Sequence, residues 1–571
     1  MKKNLNNLSI NLILLILINL ISTLLYFRID LTEDKKHSIS STSKKIINEI
    51  DDVMYIKIYL EGDFPSGFKR LQNSTIELLN QLKKHNQLIK YELINPNIKN
   101  IEERNNLYKQ LYEVGLNPTN LQTQNSGTKT EQIIFPGAII YYKGKEICVN
   151  LLQSQLGTHH EKVLNNSIEN IEFEFINAFN NLINDYKPNI AFLTGNGQLN
   201  GSEILSIKYG LNNTSESLSK YYTINEFNIK DWTVDSGKTN FSIKDQQTKI
   251  NRFDVLIIAK PTIPFNKLEK LLLDQYIMNG GKTLWLIDGV SMDMDSLKNN
   301  QAFSMALPKN LNIDDMLFKY GVRINHNLIM DIQCDKIPVI TNFNVNQPSK
   351  SLFPWFYNPL IISKNNHPIT KNIDAIKTSF ISTIDTIRSS KVHKKIILKT
   401  SPYTKLVYSP HRVSLNILEE KGSIEKYNDG PLNTGVLLSG KFKSFFENSV
   451  PLKNNKIKKE SEETEMIFFS DGDIIKNDIN SNNKPYEIGY NPFSKENFQG
   501  NKQLIINSIH YLTGNKKLLD LRRNNFKIRL LDKKEISVNK IKWQILNIFF
   551  PLIIVLIFGI IFNLIRNKQF K

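Results

Sequence analysis

The chain has 571 residues, with 73 Lys and Arg against 55 Asp and Glu, a formal net charge of +18 at pH 7. That length exceeds what one hydrophobic core fills, so about two to four domains are expected. A mean hydropathy of −0.30 excludes a polytopic transporter, in which apolar runs would dominate. The basic excess does not mark a nucleic-acid binder either. Lysine far outnumbers arginine, the residue that forks onto phosphates and bases, and the basic side chains are interspersed with acids rather than clustered with aromatics.

After Lys2 and Lys3, the uncharged run from Leu8 to Phe27 (LSINLILLILINLISTLLYF) is long enough to cross a bilayer. About 20 residues at 1.5 Å each match the ~30 Å hydrocarbon layer. A cleaved signal peptide would need a small-x-small exit, whereas the run leaves through Tyr26-Phe27-Arg28-Ile29-Asp30, so an uncleaved anchor at 8–27 is expected.

An α/β domain is expected over 30–165. Ser40 to Ser43 offer N-cap oxygens to the helix KKIINEI. The strand VMYIKIYLEG, a helix from Phe68 to Lys84, a strand from Ile89 to Ile94 and the helix IEERNNLYKQLYEVG come next. QIIFPGAIIYYKGKEICVNLL then reads as two strands about a turn at Tyr142 to Lys145. The order suggests a small layer domain, broadly thioredoxin-like in shape. It has no paired cysteines for redox chemistry: the two cysteines, Cys148 and Cys334, form no CxxC, and either one bridge or two buried free thiols is possible, the latter being expected. His159-His160-Glu161 is a metal motif only in appearance, because neighbouring helical residues diverge by about 100°. A linking helix over 166–187 ends at Lys187-Pro188.

From 188 to 520 the pattern is that of a parallel, doubly wound sheet. The strand Asn189 to Leu193 runs into the turn Gly195-Asn196-Gly197-Gln198, and a helix to about Tyr221 and the strand YYTINEFNI follow. RFDVLIIA is a central strand. The helix from Pro264 to Met278 ends at Asn279-Gly280-Gly281, and KTLWLI ends at Asp288. Gly280-Gly281-Lys282-Thr283 imitates a phosphate loop, but Tyr276 stands where the first glycine belongs and the order is helix to strand, so it reads as a helix C-cap. A strand-rich insertion spans about 331–450, with PWFYNPLI as an aromatic loop. GVLLSGKF and EMIFFSDGDII resume the sheet, Lys453 to Thr464 reads as a charged mobile loop, and a helix from Lys502 to Leu512 closes the domain.

The glycine turn at Gly195, Asn196, Gly197 and Gln198 lies where such sheets place ligands, and Asp288, Asp471 and Asp473 also fall at strand ends. A crevice lined by these seven residues is one reading; a tight turn and carboxylates bonding their own backbone is the plainer one. No catalytic constellation, metal site or cofactor motif stands out. A second uncharged run, Ile545 to Ile565, begins after Trp543 and is followed by Arg566 and Lys568, as a second span would be. Pro551 and Gly559 are tolerated in such a helix. Two spans put both termini on one side. Arg28, Lys35, Lys36, Lys533, Lys534, Lys540 and Lys542 on the body side outnumber Lys2, Lys3, Arg566, Lys568 and Lys571 on the tail side, so the cytoplasmic placement of the tails follows from the basic tip before the first run.

The segments FRIDLTEDKKHSIS, RFDVLIIAKPTIPF, LDQYIMNGGKTLWLID, NIDDMLFKYGVRIN, LFPWFYNPLI, MIFFSDGDIIKN and FKIRLLDKKEI together resemble the gliding-motility-associated ABC transporter accessory family (GldG) of Bacteroidota, essentially from end to end. The middle section looks like the ABC-transporter auxiliary domain, a Rossmann-like module. The resemblance implies an inner-membrane protein with a periplasmic body, partnering an ABC permease subunit and, through it, a cytoplasmic ATPase, in contact with the lipid bilayer and not with nucleic acid. It implies a non-enzymatic accessory subunit; the alternative is a periplasmic ligand-binding receptor using the strand-end crevice. In the auxiliary family the glycine turn is often Gly-His-Gly-Glu, and Asn196 and Gln198 here remove both ionisable groups.

Overall fold

In the computed structural model, residues 39–521 are described apart from internal stretches, the longest being 153–159, 232–242 and 449–456, together with residues 540–569. The expected span at 8–27 and the His159 position lie outside the described residues, as does the side chain of His160.

Ser40 caps helix α1 (Ser41–Asn48), its hydroxyl accepting from Ser43 N at 3.0 Å. Strand β1 (Met54–Ile58) alternates, with Met54, Ile56 and Ile58 turned into the core. Helix α2 (Ser66–His85) buries Phe68, Leu71, Thr75, Leu79 and Leu82, one helical stripe. Strand β2 (Ile89–Leu93) pairs parallel with β1, and helix α3 (Ile101–Val114) follows. Strands β3 (Thr119–Asn125) and β4 (Thr128–Ile134) form a separate ribbon. QIIF therefore does not belong to the next hairpin: Gln132–Ile134 are in β4, and Pro136, with no N–H for a ladder, precedes β5 (Gly137–Tyr142). β5 and β6 (Lys145–Asn150) pair antiparallel about Lys143 and Gly144, both at positive φ (47° and 75°), as a two-residue hairpin turn demands. The sheet order is β2-β1-β5-β6. Helix α4 (His160–Ile183) packs on α1 and α2 and leads toward the second sheet.

That sheet has seven strands: β7 (Asn189–Thr194), β8 (Thr223–Asn228), β9 (Val255–Ala259), β10 (Lys282–Leu286), β11 (Val392–Lys399), β12 (Asn433–Gly440) and β13 (Thr464–Phe469), in the order β11-β12-β13-β10-β9-β7-β8. β8, β7, β9, β10 and β13 are mutually parallel, whereas β12 and β11 add antiparallel at one edge. The run VLIIA is apolar throughout because both faces of β9 are covered. Val255, Ile257 and Ala259 join one core; Leu256 and Ile258 join the opposite one. Helix α5 (Lys267–Met278) fills the second core and α6 (Gly500–Leu512) the first; a short helix α7 (Lys516–Leu521) follows α6. Trp285 of β10 and Phe468 of β13, cross-strand partners, stack with centroids 5.9 Å apart.

Several local expectations change. No long helix follows the glycine turn: a 3₁₀ turn at Gly201–Ile204 and the helix Leu205–Tyr209 stand there, ended by Gly210 at φ 77°. Strands outside the main sheet begin at Val290–Ser291 and Phe303–Pro308. PWFYNPLI is not a loop but part of the strand Ser349–Ile361, paired antiparallel with Cys334–Asn342 and burying Trp355 and Tyr357. The described part of the expected mobile loop is bonded to the body, with Lys458 N donating to Gln275 Oε1 at 2.8 Å and Ser461 N to Phe442 O at 2.8 Å.

The C-terminal helix α8 (Lys540–Gln569), taken by itself, contains a stretch Asn547–Lys568 of 22 residues with mean hydropathy 2.9 and exposed side chains throughout. At 1.5 Å per residue it is long and apolar enough to cross a membrane.

Candidate functional site

Numbered along the chain, the five parallel strands run 2-1-3-4-5, so the order reverses between β7 and β9. In open α/β sheets that reversal opens a crevice at the carboxyl ends of the strands. The seven candidate residues all lie at that edge, but the structure brings them together as two clusters rather than one.

The first is the turn after β7. Gly195 and Gly197 have φ of 111° and 67°, and a Cβ on Gly197 would fall 2.0 Å from Thr262 Oγ1. Its polar groups serve the fold: Asn196 O accepts from Thr262 N and Ile263 N, both at 2.9 Å, and Asn196 N donates to Gln198 Oε1 at 2.7 Å. Asn196 Nδ2 donates at 2.9 Å to Glu269, the buried carboxylate that completes the Asn266 capping box of α5. Asn196 Oδ1 and Gln198 Nε2 are buried without a partner among the described residues. A phosphate cradle needs a run of free amides opening a helix. Here the Asn196 amide is already bonded, and the turn leads into one short 3₁₀ turn.

The second cluster sits at the ends of β9, β10 and β13. Asp288, Asp471 and Asp473 present carboxylate oxygens within 4.8 Å of one another. Asp288 Oδ2 accepts from Lys309 Nζ at 3.0 Å and lies 3.9 Å from Lys260 Nζ; its Oδ1 accepts from Gly472 N at 2.6 Å. Lys260 also pairs with Asp473. Asp471 accepts from Ser379 N at 2.8 Å and Asp473 N at 2.7 Å. Lys260 stands at φ 51°, and a Cβ on Gly472 would come within 2.5 Å of its Cβ and Cγ, so glycine there lets the lysine stem pass.

Two buried carboxylates, Asp288 and Asp471, and the part-buried Asp473 face two ammonium groups. Burial pushes Asp288 up, but Lys260 and Lys309 outweigh it and hold this carboxyl below its usual range. Asp471, with no ion pair among the described residues, is raised well above the carboxylate range by burial and by the Asp473 and Asp288 charges. Asp473 is also raised, burial outweighing Lys260. Burial works against the charged form of Lys260, yet Asp473 and Asp288 prevail and raise it. Of the three carboxyls, Asp471 is the one whose charged form burial and like charge disfavour most. The three oxygens are close enough for a divalent cation, but a cation would have to displace two ammonium groups already in place. The donor set therefore fits an internal ion-pair network better than a metal site.

The other motifs resolve simply. Gly280, at φ 90°, donates its N–H to Ile277 O at 3.0 Å and Gly281 to Tyr276 O at 2.9 Å, the double bond of a glycine C-cap. Cys148 and Cys334 are both unbridged. Burial raises the Cys148 thiol; burial, then Asp331 and Asp335, push Cys334 up to about 12, so neither is a thiolate nucleophile. Sequence reasoning missed Lys260, Lys309, Ser379 and Gly472. Lys260, directly after VLIIA, and Gly472, between two candidate aspartates, had a positional signal; Lys309 and Ser379 had none.

A sequence profile described as an ABC-type uncharacterized transport system matches residues 187–508, more than half of the chain. The chain belongs to this family. That membership supports an accessory role in an ABC-type transport system and fits a membrane location. Residues 33–141 match a domain of unknown function. An uncharacterized protein of Borreliella burgdorferi is 23% identical over 460 residues, covering 79% of this chain and 80% of its own length. A solved structure, the mmIFT52 N-terminal domain, covers 57% of this chain and 97% of its own at 12% identity and a TM-score of 0.29, too low to carry an argument.

Proposed function

We propose that the chain is a non-enzymatic, membrane-anchored accessory subunit of an ABC transporter. It crosses the inner membrane at 8–27 and 545–565, with both termini cytoplasmic and the body periplasmic. The body comprises a thioredoxin-like domain at 30–165, the linking helix at 166–187 and a Rossmann-like auxiliary domain at 188–520 with its insertion at about 331–450. The observation that carries this reading is the family match over 187–508. Two features support it: the exposed apolar helix α8 and a strand-end cluster in which the chain's own lysines pair with Asp288 and Asp473. The helices contact a permease subunit, a separate ATPase supplies energy, and the body meets substrate or envelope partners. The resemblance to the gliding-motility accessory family of Bacteroidota supports a role in motility.

Affinity capture from detergent-solubilised membranes tests the assignment. Recovery with a permease and an ATPase is expected; recovery of the chain alone overturns it. A reporter fused after Lys571 should read cytoplasmic, and a periplasmic signal would overturn the topology. The second reading, a ligand receptor, draws on the strand-order reversal at β7 and β9 and on the unpartnered Gln198 Nε2 beside it. A ligand-induced thermal shift abolished by Gln198→Ala would favour it over a purely structural turn.

A further inference from the structure

Ile39 and Leu521 stand at opposite ends of the described body, yet both are buried in the same hydrophobic core, at 7% and 4% exposure. Helix α4 is the shared floor. α1, which begins just after Ile39, and α7, which ends at Leu521, both pack on α4 and also on each other. A polar latch reinforces the apolar contact: Glu172 of α4 accepts from Ser40 N at 3.0 Å and from Ser43 Oγ at 2.5 Å, placing a carboxylate at the N-terminus of α1, where the helix dipole favours it. α7 is tied in the other direction, Lys516 Nζ pairing with Glu465 Oε1 of β13 at 2.5 Å. α4 itself runs on toward β7, whose carboxyl end is the Gly195–Gln198 turn. The core that holds Ile39 thus takes Leu521 from the helix that follows α6, the helix that fills a core of the second sheet.

We propose that the α1–α4–α7 junction is a coupling joint. It holds Ile39 and Leu521, the first and last described residues of the body, on one helix, so that displacement of either reaches α4 and then β7 and the strand-end turn. The inference rests on reading both chain ends as membrane spans, which makes Ile39 and Leu521 the points at which a membrane partner moves the body. Packed elements with few alternative arrangements pass displacement on rather than absorb it.

Hydrogen exchange of the full-length protein in detergent, read by mass spectrometry, tests the joint. Glu172→Ala should quicken exchange about tenfold in α1 and, although neither is bonded to Glu172 among the described residues, in residues 516–521 and 189–198. Leu521→Ala should reciprocally loosen α1. Glu172→Gln keeps an acceptor and should stay within about twofold of the parent, which separates loss of the latch from general misfolding. Acceleration confined to α1 in Glu172→Ala, with α1 unmoved in Leu521→Ala, overturns the proposal. The readout needs no partner: a joint that responds as a unit in a chain whose C-terminal reporter reads periplasmic would leave the coupling intact and refute only the proposed topology.

Discussion

The amide of Gly472 donates to the Asp288 carboxylate at 2.6 Å, joining the end of β13 to the end of β10 at the point where Lys260 and Lys309 converge. This bond, with the two ammonium groups, keeps Asp288 ionised despite its burial. The cluster therefore behaves as an ion-paired clasp across three strands.

Asp288→Asn removes a buried carboxylate from two largely covered lysines at once. Breaking a buried pair on one side costs about 3–5 kcal/mol, and a loss of that size is expected in denaturant unfolding of the full-length protein. Asp471→Asn replaces a carboxyl that has no ion pair among the described residues and forfeits one acceptor, so about 1 kcal/mol is expected. The reverse ranking would show that Asp288 is not the carboxylate on which the two lysines depend.

The pH dependence has a definite sign. Asp471 has a folded pKa above its unfolded value, so the native state holds the extra proton. Its contribution is fully present below the ordinary carboxylate pKa of about 3.9 and lost as pH rises through the raised folded value. Asp288 is opposite: its contribution is present above about 3.9 and lost as pH falls through its lowered folded value. Comparing unfolding midpoints of wild type and Asp471→Asn from pH 4 upward should show a falling component in wild type that the variant lacks.

Gly472→Ala tests the packing of the clasp without backbone strain, since Gly472 has an ordinary φ of −78°. The new methyl would meet Lys260 Cβ and Cγ at 2.5 Å. Overpacking of this kind costs about 1–3 kcal/mol. A thermal midpoint unchanged from wild type would mean that the Lys260 stem has room to move.

Both thiols should be slow to alkylate in the native protein at pH 8, Cys334 the slower because its pKa is pushed up to about 12. Mass spectrometry after iodoacetamide should find full labelling only once the chain is unfolded. Rapid native labelling of Cys334 would contradict the burial assigned to it.

Much of the fold was legible because its signals are local. Alternation in MYIKI, the unbroken apolar run VLIIA, the Lys143-Gly144 turn and the glycine C-cap at Gly280 each record a backbone environment within a few residues. The failures share a cause as well. PWFYNPLI looked like a loop because Pro354 and Pro359 interrupt it, but its partner strand Cys334–Asn342 accommodates them, and only long-range pairing decides that. Asp288, Asp471 and Asp473 were found as strand-end acids, whereas Lys309 and Ser379, which change their meaning, come from chain segments with no motif of their own.

The amino-acid order alone determined the apolar C-terminal run, the α/β alternation, the absence of a complete phosphate loop and the positions of acids at strand ends. These follow from periodicity, turn chemistry and residue type. Tertiary structure decided that two lysines pair with Asp288 and Asp473 and that the turn after β7 bonds to its own neighbours. It also decided that Leu521 completes a core begun at Ile39. Each depends on contacts between residues far apart in the chain, whose energies arise only when packing removes water and brings the groups within bonding distance.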